Sequence, residues 1–219
     1  MSLIVKICGL STRETLDVAL DAGADMVGFV FFPPSPRHLS LELGRELGRQ
    51  VKGRAIKVAL TVDADDATLA NIVEALAPDI LQLHGKETVA RLRDIKQRFG
   101  LPVMKAIAVE TAADLAPLPG YAAVADCILF DARAPREATR PGGLGAVFDW
   151  HLLEKLDLKL PFMVSGGLNA GNVAEAVRVT RAGGVDVSSG VESAPGIKDP
   201  EMIRQFIRAA RATEELMVR

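Results

Sequence analysis

Cysteine, histidine and aromatic side chains are all scarce in this chain. Its 219 residues include 2 cysteines and 3 histidines, and aromatics make up only 5%. Two cysteines are too few for a disulfide framework, so free thiols and a reducing, cytoplasmic setting are expected. His38, His84 and His151 show no metal-ligand spacing with one another or with the cysteines, so no metal site is expected. A core with so few rings must be built from Val, Leu, Ile and Ala, which suits parallel strands covered by helices. Charge of one sign is also lacking. The formal net charge of −2 gives no footprint for a nucleic acid or an anionic membrane. No apolar run approaches the ~18 residues of a membrane span. Residues 1–9 lack the basic segment and long apolar stretch of a secretory signal.

Hydrophobic residues at 49% and charged residues at 25% are ordinary for a folded domain. Eight short apolar runs punctuate the chain: residues 3–7, 26–31, 56–62, 79–83, 102–107, 127–131, 162–166 and 184–190. Between them lie amphipathic or polar stretches with helix punctuation. One carries Leu16, Ala19 and Leu20 on a common face and stops at Gly23. A second opens on Ser40, and a third is closed by Pro78. Another runs from Asn169 to Gly183-Gly184. Pro117 and Pro119 limit any helix after the fifth run, and residues 134–150 read mostly as loop. Eight strand-plus-helix units predict a single (β/α)8 barrel, an α/β TIM barrel spanning residues 1–219. A doubly wound open sheet is the rival, but "CGL" after the first run is not a dinucleotide fingerprint.

A barrel places its chemistry at the C-terminal ends of its strands and in the loops that follow. Gly166-Gly167 and Ser188-Ser189-Gly190 fall in the seventh and eighth loops, where backbone N–H groups often bind phosphate. Each alone would read as a tight turn; the two together point to a phosphorylated small-molecule ligand. Cys8 sits at the tip of the first strand before a glycine. It is either a small buried hydrophobe or, with positive charge nearby, a base. Cys127 opens the sixth strand at the opposite end and reads as packing. Asp131 closes the apolar run "CILFD"; a polar site would justify it there, and partial desolvation would suit it to donate a proton. A capping role is the alternative. Arg37 follows the stiff "FPPSP" stretch and is either a carboxylate grip or a solvated surface residue. His84 either binds ligand or caps the fourth strand, and Asp186 either orients a donor, binds ligand or fills the barrel interior.

The segments "KICGL", "GADMVGFVFFPPSPRHLS", "LQLHGKE", "LFDA", "GGLGAVFDW", "SGGLNAGNVAEAV" and "GVDVSSGVESAPGIKD" occur in order along nearly the whole chain. Together they resemble the phosphoribosylanthranilate isomerase family of tryptophan biosynthesis. The resemblance implies a cofactor-free Amadori rearrangement of N-(5-phosphoribosyl)anthranilate to 1-(2-carboxyphenylamino)-1-deoxyribulose 5-phosphate. It assigns Cys8 as general base, Asp131 as general acid and Arg37 as the grip on the anthranilate carboxylate. Gly166, Gly167, Ser188, Ser189 and Gly190 become the phosphate grip. Two positions depart from the family pattern: Leu144 stands where the sixth loop has a hydroxyl residue, and Ser165 replaces an alanine. The sister isomerase of histidine biosynthesis would have an aspartate at the first strand tip and a second phosphate loop, where this chain has Cys8 and "VDAD". The other class of reading is a non-catalytic barrel that binds a phosphorylated metabolite; retention of both Cys8 and Asp131 speaks against it. Monomer and homodimer both remain open.

Overall fold

The computed structural model describes residues 2–135 and 137–217. Its first half alternates β1 (Ile4–Cys8), α1 (Arg13–Asp21), β2 (Met26–Phe31), α2 (Leu41–Val51), β3 (Ile56–Thr61), α3 (Asp66–Leu76), β4 (Ile80–Leu83) and α4 (Val89–Phe99). The second half continues with β5 (Val103–Val109), α5 (Leu118–Ala122), β6 (Cys127–Ala132), β7 (Phe162–Val164), α6 (Val173–Thr180) and β8 (Gly184–Val187). A small hairpin, β9 (Glu192–Ala194) and β10 (Ile197–Lys198), precedes α7 (Pro200–Met217). Strands β1 to β8 pair in parallel in chain order, and β8 returns to β1, so the sheet is a closed barrel rather than an open one.

Closure gives every strand two buried faces, which is why the strands read as continuous apolar runs. On β1, Val5 and Ile7 belong to the large cluster between strands and helices, as do Phe29 and Phe31 on β2. The alternate residues point inward. Met104, Ala106, Leu129 and Met163 fill the lower interior, and Cys8, Val30 and Leu60 form an apolar wall nearer the mouth. Each large apolar side chain buried this way contributes roughly 1.5–3 kcal/mol. Gly44 on α2 has a packing reason: a β-carbon there would sit 2.8 Å from the Phe31 ring.

Helix starts follow local capping chemistry. Thr12, Ser40, Asp65 and Thr88 each accept a backbone N–H of the first turn. The helix expected from Asn169 begins later, at Val173, because the side chains of Asn169 and Asn172 close local turns instead. Asn169 accepts from Gly171 N, and Asn172 accepts from Asn169 N, both at 2.8 Å. The eighth apolar run is likewise shorter as a strand than it reads: β8 ends at Val187, and Ser189–Val191 form a 3-10 turn. The segment after β6 is a loop, as its prolines and glycines predict, ending in a short 3-10 helix at Trp150–Leu153. Two helices lie where the pattern reading names none. In α4 only Leu92 and Ile95 are buried, too thin a stripe to stand out. In α7 the stripe of Ile203, Phe206, Ile207 and Ala210 is clear, and it packs where the barrel closes. No described helix is long and apolar enough to cross a membrane.

Outside the barrel wall, Lys105 and Glu87 form a buried ion pair at 2.7 Å, each side chain 3% exposed. Glu87 also accepts the backbone N–H groups of Asp63 and Gly85, tying the third and fourth loops together beneath His84. Lys105→Met leaves that carboxylate buried without its cation and is expected to cost roughly 3–5 kcal/mol in urea denaturation. Adding Glu87→Gln keeps an oxygen for the two amides and removes the orphaned charge, so the double variant should recover at least half of the loss.

Candidate active site

Alternation along β1 turns Lys6 and Cys8 to the same inward face. Lys6 is fully buried, and its Nζ lies 2.8 Å from Asp186 Oδ1 on β8, its register partner. Ser165, at the end of β7, donates a longer 3.4 Å hydrogen bond to the other Asp186 oxygen. Gly28 on β2 makes room for this group: a β-carbon there would stand 2.9 Å from Cys8 Sγ and 3.2 Å from Lys6 Nζ. Thiol and ammonium therefore share one small space. Burial pushes the Cys8 thiol above its ordinary value, Lys6 and Lys198 pull it back, and Asp186 adds to the rise. Burial also favours a neutral Lys6, but Asp186 and Cys8 outweigh it and hold the amine above the usual lysine value, so Lys6 is charged.

Asp131 projects from β6 with 4% exposure. Its Oδ1 accepts the Ala132 N–H at 2.9 Å, and its Oδ2 lies 3.1 Å from His84 Nε2. That second contact is at ion-pair distance but lacks hydrogen-bond alignment. Gly142 passes directly over the pair; a β-carbon on it would come within 2.5 Å of Asp131 Oδ2 and 3.0 Å of the His84 ring. The sixth loop thus covers the carboxylate only because it carries glycine there.

Arg37 is not a solvated surface residue: it is 3% exposed. Its Nε and Nη2 both donate to Glu192 at 2.7 Å, and Nη2 also donates to the Gly143 carbonyl at 3.1 Å. Glu192 in turn accepts from Lys198 at 2.7 Å, and Lys198 donates to the carbonyl and hydroxyl of Ser188. Burial favours the protonated form of Glu192, yet Arg37 and Lys198 hold its carboxyl below the usual range. Burial pulls Lys198 down to about 8 despite the opposing pull of Glu192.

The glycine loops meet beside this cluster. Gly166 and Gly167 have φ of +83° and +61°, a conformation few other residues adopt. At Gly190 a β-carbon would fall 1.8 Å from the Leu168 carbonyl oxygen, so the eighth loop lies hard against the seventh. Cys8, Arg37, His84, Asp131, Gly166, Gly167, Asp186, Ser188, Ser189 and Gly190 all line one cleft at the C-terminal mouth of the barrel. Leu144, 39% exposed, lies on its rim in the sixth loop. Cys127 sits at the first position of β6, away from the cleft, with its thiol pushed up to about 12 by burial. Among the described residues no group of three or more His, Cys, Asp or Glu could hold a metal ion.

Sequence reasoning missed Lys6, Glu192 and Lys198 as members of this site. Lys6 carried a usable signal, since it stands two residues before Cys8 on a strand. Glu192 and Lys198 lie inside a quoted motif, but their link to Arg37 spans 155 residues of chain and leaves no local trace.

Comparison with known proteins agrees with this geometry. Residues 5–209 match the family model described as N-(5'phosphoribosyl)anthranilate (PRA) isomerase. A relative from Bradyrhizobium diazoefficiens, named N-(5'-phosphoribosyl)anthranilate isomerase, is 84% identical over 98% of this chain and 96% of its own length. One of the same name from Nitrobacter winogradskyi is 76% identical over 98% of this chain and 95% of its own. The crystal structure of phosphoribosyl anthranilate isomerase from Thermotoga maritima superposes with a TM-score of 0.87 at 36% identity, covering 96% of this chain and 99% of that one. A complex of such an enzyme with reduced 1-(o-carboxyphenylamino)-1-deoxyribulose 5-phosphate superposes at 0.84 with 33% identity over 96% of this chain and 99% of the other. The closed eight-stranded barrel, the cleft at its mouth and these likenesses agree: the chain belongs to the N-(5'-phosphoribosyl)anthranilate isomerase family.

Proposed function

We propose that Cys8 and Asp131 are the base and acid with which this isomerase of tryptophan biosynthesis rearranges N-(5'-phosphoribosyl)anthranilate. The observation that carries the reading is their placement. Both project inward into one cleft that the Arg37 cluster and the glycine loops after the seventh and eighth strands also line. Such an arrangement can hold a substrate with an anion at each end and present its sugar to two proton-transfer groups. The glycines at 166, 167 and 190 with Ser188 and Ser189 take the phosphate, and Arg37 takes the anthranilate carboxylate. His84, at ion-pair distance from Asp131, and Asp186, beneath the thiol, complete the walls of the substrate site.

The chemistry then follows in order. Asp131 gives a proton to the furanose ring oxygen; the C1–O bond breaks and an open-chain Schiff base forms. Cys8, as the thiolate, removes the proton from C2, giving an enolamine that tautomerises to the ketone. No electrons leave the substrate, so no redox cofactor takes part. A buried thiol makes a stronger base once ionised but ionises less readily. Lys6 supports the ionised form, and its own charge is secured by Asp186.

A reducing, cytoplasmic setting suits a base that is a free thiol. A homodimer has precedent in a dimeric relative from Thermotoga maritima.

Turnover of freshly prepared phosphoribosylanthranilate, followed by fluorescence, tests the assignment. Cys8→Ser and Asp131→Asn should each lower kcat by about 10²–10⁴-fold with the fold intact by circular dichroism. Near-normal turnover by either variant would remove that residue from its role. A second expectation concerns Lys6. In Lys6→Met the thiolate loses its nearest cation, so the iodoacetamide reactivity of Cys8 should titrate at higher pH than in the wild type. The rising limb of kcat/KM should move the same way. An unmoved alkylation profile would show that Lys6 does not govern the thiol.

A further inference from the structure

A guanidinium offers two hydrogen-bonding forks, one from Nε and Nη2 and one from Nη1 and Nη2. In Arg37 the first fork is already filled by the two oxygens of Glu192, both at 2.7 Å. Nη1 has no hydrogen-bond partner among the described residues. It faces Gly143, where a β-carbon would sit 2.6 Å away, so the missing side chain leaves Nη1 open at the cleft, while the second Nη2 proton goes to the Gly143 carbonyl. The stem of Arg37 reaches this position across the tip of β1. A β-carbon on Gly9 would fall 2.5 Å from Arg37 Cδ and 3.2 Å from Ser188 Oγ.

Glu192 is held by its hairpin. It faces Lys198 across β9 and β10, and the Lys198 ammonium reaches on to Ser188 in the eighth loop. The side chains of Arg37, Glu192 and Lys198 are 4%, 3% and 1% exposed. Two cations and one carboxylate are therefore buried together, with one positive charge left over. A buried surplus charge is unfavourable until an anion meets it.

We propose that Glu192 is a positioning residue that fixes the plane of the Arg37 guanidinium, so that its Nη1 amine meets the substrate's carboxylate. Lys198 joins that grip to the phosphate loop, making one rigid strut between the two ends of the substrate. The inference rests on the reading of Arg37 as the carboxylate grip and deepens it. In geometric terms, Glu192 does not compete with the substrate for Arg37: it takes Nε and one Nη2 proton, the Gly143 carbonyl takes the other Nη2 proton, and both Nη1 protons stay free. The surplus charge depends on Lys198, whose charged and titratable neighbours are Glu192, Arg37 and Cys8. As pH rises through about 8, Lys198 loses its proton and the cluster becomes neutral, so affinity for an anionic substrate should fall.

The test compares two ligands by calorimetry: the reduced carboxyphenylamino-deoxyribulose phosphate, and the same molecule without its carboxyl group. The wild type should prefer the carboxylated ligand. Glu192→Gln should lose about tenfold of that preference and raise KM to match, with kcat within about threefold. Lys198→Arg keeps the charge at all pH values used, so the rise in KM above about pH 8 should disappear in it. If Glu192→Gln keeps the full preference while Arg37→Met loses it, the positioning role is overturned and the grip by Arg37 stands. If Arg37→Met also keeps the preference, the grip itself is misassigned and the inference falls with it. Should Glu192→Gln fail to fold, Glu192→Asp decides: it keeps the charge but shortens the reach to Arg37, and a full preference for the carboxylated ligand in it overturns the positioning role.

Discussion

The ion pair between Lys6 and Asp186 is the constraint on which the site depends. These residues are register partners on the first and last strands, so their contact exists only because the barrel closes. Both are buried, and a buried pair of this kind is a weak source of net stability because desolvating two ions consumes most of the attraction between them. Its consequence is electrostatic. It places a permanent cation beside Cys8, and Gly28 on the next strand keeps the space between them clear. The same closure that completes the core therefore sets the environment of the thiol.

Around that centre the molecule uses glycine where two chain segments must pass too close for a side chain. Gly9 lets Arg37 cross β1, Gly142 lets the sixth loop cover Asp131, and Gly190 lets the eighth loop lie on the seventh. At Gly142 and Gly190 the requirement is steric rather than a turn preference, while Gly9 also takes a φ of +78°. Loop positions are in turn held by buried charges: Glu87 with Lys105 beneath His84, and Glu192 with Lys198 beside Ser188. Rigidity at the mouth comes from such clamps, because loops have no apolar face of their own to bury.

The barrel was legible because parallel strands buried on both faces have no choice but to be apolar, and eight such runs are hard to arrange otherwise. The ten candidate residues share one cleft because a barrel mouth gathers the polar residues of its strand ends and of the loops after them, from Cys8 at the first strand to Gly190 after the last. Helix α4 was not, since two buried residues make too faint a periodicity. The start of α6 was misplaced because Asn169 is as good a turn former as it is a cap, and the Asn172 partner that decides between them is a tertiary detail. Arg37 shows the limit most clearly. Its type and its stiff flanking segment were visible, but the choice between solvent and burial rested on a carboxylate 155 residues away.

By itself the sequence determined periodicity, capping and the kinds of chemistry available at each strand end, because these depend on residues a few positions apart. Tertiary structure alone decided that the sheet closes and that Lys6 stands between Cys8 and Asp186. It also decided which fork of Arg37 is filled and where the surplus charge sits. Those outcomes depend on distances between strands and loops remote in the chain, and on the burial that makes a charge at 3 Å matter.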